Sequence, residues 1–91
     1  AKSTRKVRLG TVPDFTHQGR GVRLEGVVPG SPAAAAGLRE GDLILRIDGE
    51  EIPDLKGLSD LLKILEPGDR IEITYLRDGE QKRVEVELAG R

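Results

Sequence analysis

Apolar and polar residues alternate along much of this 91-residue chain, and the places where the alternation stops divide it into elements. In residues 7–12 the apolar side chains are Val7, Leu9 and, past Gly10, Val12. This is the period of a short strand that Pro13 terminates or confines to a sheet edge. Residues 14–21 read as a loop. The alternation returns at Val22 and Leu24, continues through Gly26-Val27-Val28 and stops at Pro29-Gly30, which gives a second strand. Ser31-Pro32, four alanines and Gly37 then spell out a short helix. Ser is the N-cap, Pro occupies the first helical position where its missing donor costs nothing, Ala is the best helix former, and Gly is the stop. A helix with no large side chain must lie close against a sheet, with Leu38 as its anchor.

Residues 41–47 form a mostly apolar strand, and Asp48-Gly49 turns it into a brief segment at 51–52. Asp54 caps a helix from 55 to about 65, ended by Pro67-Gly68. Leu55, Leu58, Leu62 and Leu65 make one stripe, while Leu61 and Ile64 widen it sideways, beyond the roughly 100° that a flat core contact needs. The flank of this helix is therefore expected to line something. Residues 70–76 and 81–88 carry two further period-2 runs (Ile71, Ile73, Tyr75 and Val84, Val86, Leu88) joined through Asp78-Gly79, a hairpin. Strands outnumber helices, no βαβ repeat appears, and the fold class predicted is α+β with a rolled antiparallel sheet.

Composition narrows the chemistry. The chain is 36% hydrophobic and 34% charged, with two aromatics and no Cys, Met or Trp, so the core is aliphatic and neither disulfides nor thiolate metal sites are available. Fifteen basic residues nearly balance sixteen acidic ones, which gives no excess for nucleic acid or an anionic membrane, and no apolar run approaches the roughly 20 residues that span a bilayer. The basic residues 1–6 read as a frayed tail or as an anion-attracting arm. His17 is the single histidine and lies in a loop; Ser3, Ser31 and Ser59 have no nucleophile setting. Between residues 40 and 60 seven acids (Glu40, Asp42, Asp48, Glu50, Glu51, Asp54, Asp60) face two bases (Arg46, Lys56). Their order does not match a calcium loop, and a solvated acidic rim is the expectation. Gly19-Arg20-Gly21 lacks the context of a phosphate loop. No catalytic residue, cofactor or metal is predicted.

The run Val28-Pro29-Gly30-Ser31-Pro32-Ala33 to Ala36-Gly37-Leu38, followed by Gly41-Asp42-Leu43-Ile44, Ile47-Asp48-Gly49, Pro67-Gly68-Asp69 and Leu76-Arg77-Asp78-Gly79, resembles PDZ domains in the form found in bacterial proteases. The opening Leu9-Gly10-Thr11-Val12-Pro13-Asp14-Phe15 is similar to PDZ modules of bacterial zinc aminopeptidases, more than to those of HtrA-type serine proteases. The resemblance implies a partly open antiparallel barrel of five to six strands with two helices in the bacterial (permuted) strand order, spanning 7–88 between tails 1–6 and 89–91. It also implies a non-catalytic, monomeric, extracytoplasmic module of a parent protease or peptidase, which it regulates or targets. A C-terminal or extended peptide would add as a strand between the strand at 10–12 and the helix at 55–65. Matching the motif, the peptide-binding residues are Arg8, Leu9 and Gly10 in a carboxylate loop, Thr11 and Val12 in the receiving strand, and Gly57, Leu61 and Ile64 on the helix. Leu9, Leu61 and Ile64 would form a pocket for an apolar terminal residue, Gly57 would leave the next pocket unselective, and Arg8, backed by Arg5 and Lys6, would attract the carboxylate. The partners implied are such a C-terminus and adjoining domains of the parent, without nucleic acid or membrane insertion. Pro13 departs from the pattern, since it cannot donate an N–H to the peptide's third residue. The alternative is a structural or intramolecular-docking module with no free peptide ligand.

Overall fold

A computed structural model describes residues 7–90. In chain order its elements are β1 (Val7–Arg8), β2 (Thr11–Pro13), β3 (Val22–Val27), α1 (Pro32–Ala35), β4 (Leu43–Ile47), β5 (Glu50–Glu51), α2 (Leu55–Lys63), β6 (Arg70–Arg77), β7 (Glu80–Glu87) and β8 (Ala89–Gly90). The main sheet is antiparallel in the order β2-β3-β4-β6-β7, with β5 paired to β4, while β1 and β8 pair as a separate ribbon. This small open sheet of six strands with two helices is the α+β architecture expected.

Sequence signals with a local mechanism land where they point. Ser31 caps α1 by accepting a 3.2 Å bond from the Ala34 N–H, and Pro32 opens the helix. Asp54 caps α2 through Gly57 N–H at 2.8 Å. Both Asp-Gly pairs turn with positive φ at the two central residues, 53° and 79° at Asp48-Gly49 and 54° and 78° at Asp78-Gly79. That is the hairpin turn whose twist suits antiparallel strands.

Two expectations are corrected. The strand predicted over 7–12 is split: Gly10, at φ 87°, turns the chain so that β1 pairs with β8 while β2 pairs with β3, and Pro13 is the last residue of β2, on the sheet edge that is one of the two places its chemistry allows. Residues 89–90, expected in a tail, form β8, because Val7 and Leu88 are both buried and draw the two chain ends together. The tail at 1–6 and Arg91 lie outside the described residues. Of the seven acids between residues 40 and 60 six are exposed, the solvated rim expected, and only Asp42 is buried, while several of them also hold the fold together. Asp42 is 1% exposed, Asp54 is a cap, and Asp48 clamps β6 through an N–H to Glu72 O and an Oδ1 from Glu72 N–H, both 2.8 Å. Asp60 pairs with Lys56, and Glu51 pairs with Arg20.

Leu24, Ile44, Ile47, Ile71, Ile73 and Val86 are fully buried and join the strands to α1 through Ala33 and to α2 through Leu58 and Leu62. Each such aliphatic side chain contributes about 1.5–3 kcal/mol on leaving water. Into this core runs one ionic pair. Asp42 accepts from Arg77 Nε at 2.8 Å and Nη2 at 2.7 Å and from Arg39 N–H at 3.0 Å, while Arg77 Nη2 also donates to Gly37 O at 2.8 Å. The Arg77 guanidinium lies 5.3 Å from the Tyr75 ring centroid. The pair ties the turn after α1 to the end of β6. Burial pushes the Asp42 carboxyl up. The bonds from Arg77 and Arg39 and the Arg77 charge outweigh that effect and hold it below the ordinary value of 3.8.

Candidate functional site

The edge strand β2 has three residues and one hydrogen-bonded neighbour, β3. Its orientation follows from bonds made by the loop before it. Leu9 C=O accepts from Ala33 N–H at 2.9 Å, and Gly10 C=O accepts from Val28 N–H at 2.8 Å. The described residues contain no cis peptide bond, and across a trans peptide the N–H points opposite to the preceding C=O. The Gly10 and Thr11 N–H groups therefore point away from α1 and β3. Alternation then places Val12, partnered with Gly26, in the inward-bonding position and leaves Thr11 and Pro13 facing the free edge. Asp14 N–H, which bonds Arg23 O at 2.9 Å, continues that alternation. The edge thus offers two adjacent outward N–H groups, a C=O from Thr11, and a C=O but no N–H from Pro13. Proline with its nitrogen toward solvent is the arrangement that edge strands tolerate.

Beside this edge lies an open cleft of about 250 Å³. Its strand side is Thr11 and Pro13, and its helix side is Leu55, Leu58, Ser59 and Leu62 of α2. Leu58 and Leu62 are 2% and 3% exposed and form an aliphatic floor continuous with the core. A short strand on one side and a helix on the other leave room for one extended chain between them.

The structure brings together only part of the expected set. Gly10 and Thr11 stand at the edge. Arg8 is exposed in β1, where it pairs with Ala89. Leu9 is 2% exposed, belongs to the core and lines neither the cleft nor the depression that holds Ile64, which is 74% exposed. Val12 turns its main chain to β3 and does not line the cleft. Gly57, Leu61 and Ile64 line a different depression, on the flank of α2 that faces Glu50, Ile52 and Pro53. Counting back from Pro67-Gly68 thus selects the side of the stripe away from β2. Leu55, Leu58 and Leu62 serve the core and the cleft at once, because β2 is too short to cover them. Ser59 and Pro13 complete that wall. Arg5 and Lys6 lie outside the described residues.

Among the described residues no group of three or more His, Asp or Glu side chains converges on a point that could hold a metal ion. Nor is any helix among the described residues long and apolar enough to cross a membrane. His17 Nε2 lies 3.2 Å from Arg20 O within its loop.

The family model for the PDZ domain matches residues 7–88. The chain belongs to the PDZ family. Curated relatives include the magnetosome formation protease MamE of Paramagnetospirillum magneticum, 38% identical over 72% of this chain and 9% of that protein. Another is the periplasmic pH-dependent serine endoprotease DegQ of Escherichia coli, 35% identical over 76% of this chain and 15% of that protein. The chain thus spans a small fraction of either relative. Among solved structures, the HtrA-type protease AlgW with a decapeptide superposes with a TM-score of 0.84 at 28% identity, covering 94% of this chain and 30% of that one. The type is therefore HtrA-like, in which the PDZ domain is a non-catalytic module. An aminopeptidase N family protein from Idiomarina loihiensis, with a TM-score of 0.74 at 23% identity, covering 96% of this chain and 14% of that one, shares the fold.

Proposed function

We propose that this PDZ domain receives the free C-terminus of a peptide or protein as an added strand along β2, between Thr11–Pro13 and α2. In a parent protease of HtrA-like type outside the cytoplasm, the captured segment would target or regulate cleavage. One observation carries the reading: the outward N–H groups of Gly10 and Thr11 lie at the end of a free edge beside a leucine-floored cleft. Two adjacent backbone donors suit a carboxylate, and three leucines suit an aliphatic terminal side chain. Relatives add weight, since AlgW was solved with a decapeptide and, separately, with a tripeptide. Pro13 removes one main-chain donor, a loss of about 1 kcal/mol, so affinities in the micromolar range are expected.

Substitutions on the two flanks of α2 test the placement. Ser59→Arg extends a long side chain into the cleft and is expected to weaken binding of a free-acid peptide ending in Val by at least about tenfold, or about 1.4 kcal/mol. Ile64→Arg, on the opposite flank, is expected to leave it unchanged. Calorimetry in which Ile64→Arg abolishes binding and Ser59→Arg does not would move the site to the other side of the helix. If no peptide binds even at millimolar concentration, the missing Pro13 donor becomes the mark of a module that docks only its own parent protein.

A further inference from the structure

A second cleft, of about 200 Å³, continues the first beyond Pro13 and shares Pro13 and Leu55 with it. Its floor is Val22, 4% exposed, and its outer wall is Phe15, 80% exposed. An uncovered ring at the end of a groove is the most exposed large apolar side chain among the described residues. Three charged groups also line this cleft: Asp14, Arg23 and Asp54. Asp14 is committed. Its Oδ1 accepts from Thr16 and its Oδ2 from Arg23 at 2.8 Å, and these partners, the Thr16 hydroxyl foremost, keep its carboxyl below the ordinary range. Asp54 accepts the cap bond from Gly57 N–H on Oδ1 and keeps its carboxylate at the exposed mouth of the cleft. With Arg23 neutralised by Asp14, the remaining charge of the cleft is the Asp54 carboxylate.

Register says which ligand residue arrives there. A strand added antiparallel to β2 places its last residue near Thr11 and its third from the end opposite Pro13. The first cleft runs from Leu62 to Leu55, about 10 Å along α2. An extended peptide rises about 3.3 Å per residue, so its fifth residue from the end lies about 13 Å from the last. By the period of two it faces α2 again, just past Leu55 and beside Asp54. Pro13 ends the main-chain pairing before this point, leaving side-chain contact to hold the upstream part of the ligand.

We infer that the second cleft is a specificity subsite for a long basic side chain, arginine best, at the fifth position from the peptide's C-terminus. The aliphatic stem lies on Pro13 and Leu55, the guanidinium stacks on Phe15, and its charge meets Asp54. This rests on the reading of the first cleft as the seat of the peptide's end. The test uses free-acid octapeptides ending in Ala-Val with Arg, Ala or Glu at the fifth position from the end. Binding is measured at low and high salt to the chain and to Phe15→Ala and Asp54→Asn. Asn caps a helix as well as Asp does, so Asp54→Asn removes the charge while keeping α2, and its Tm verifies this. Arg is expected to bind roughly three- to fivefold more tightly than Ala, and Glu more weakly, with the spread shrinking in salt. Either substitution is expected to lower the preference for Arg. Equal binding of the three peptides overturns the subsite alone, as does an Arg preference untouched by both substitutions. Failure of all three to bind overturns the reading of the first cleft and the subsite with it.

Discussion

Gly10→Ala is expected to destabilise the domain by roughly 3 kcal/mol and to abolish peptide capture in whatever fraction still folds. Two effects add. The backbone at position 10 has φ 87°, where a side chain is strained by about 1–2 kcal/mol. A Cβ there would also overlap the Cβ and Oγ of Ser31, the residue that caps α1. Moving Ser31 sacrifices its bond to Ala34, worth about 1 kcal/mol. At about 4–8 °C per kcal/mol for a domain of this size, the melting temperature should fall by roughly 15 °C. A double-mutant cycle separates the effects. Ser31→Gly alone should cost a few tenths of a kcal/mol, because glycine is a tolerable cap, and combined with Gly10→Ala it should recover about 1 kcal/mol or more. Additive losses would show that the overlap is not what position 10 resists.

Asp42→Ala is expected to cost a similar amount, about 3 kcal/mol, read as a lower denaturation midpoint with unchanged slope. The reason is what remains. Arg77 keeps only its bond to Gly37 O and the face of Tyr75, and Arg39 N–H loses its acceptor. The sign of the pH dependence follows from the lowered folded pKa. The stabilisation from this carboxylate is fully present above its ordinary value of 3.8 and is lost as pH falls through the lower folded value. Asp42→Asn should therefore flatten the acid limb of the stability curve, and an unchanged limb would assign acid sensitivity to other groups.

Local chemistry was readable in the sequence, and long-range partnership was not. Ser31-Pro32 with Gly37, Asp54 at the start of α2, and the two Asp-Gly turns each act within a few residues, so their positions in the structure match their positions in the pattern. Asp42 and Arg77 are 35 residues apart, and nothing in an acidic stretch distinguishes the one carboxylate that is buried against an arginine from those at the surface. Gly10 interrupted a good alternation that could equally have continued as a single strand. The helix stripe is a true stripe, with Leu58 and Leu62 buried and Leu55 and Leu65 packed against the core. Periodicity gives the angular spacing of Leu55, Leu58, Leu61, Leu62 and Ile64 but not which margin meets a free sheet edge, which in the structure is the one with Leu55, Leu58 and Leu62. The depth of Leu9 in the core was likewise hidden, because a buried strand residue and a pocket wall share the same apolar signature.

The backbone amides of Gly10 and Thr11 test the central proposal most directly. Amide chemical shifts would be followed by NMR while a peptide ending in Ala-Val is added, first as the free acid and then with its C-terminus amidated. The free acid is expected to shift the Gly10 and Thr11 amides and residues Leu55, Ser59 and Leu62 together, with the Gly10 and Thr11 changes largely lost for the amide. Shifts centred on Gly57, Leu61 and Ile64, or equal shifts from both peptides, would contradict carboxylate capture at the β2 edge.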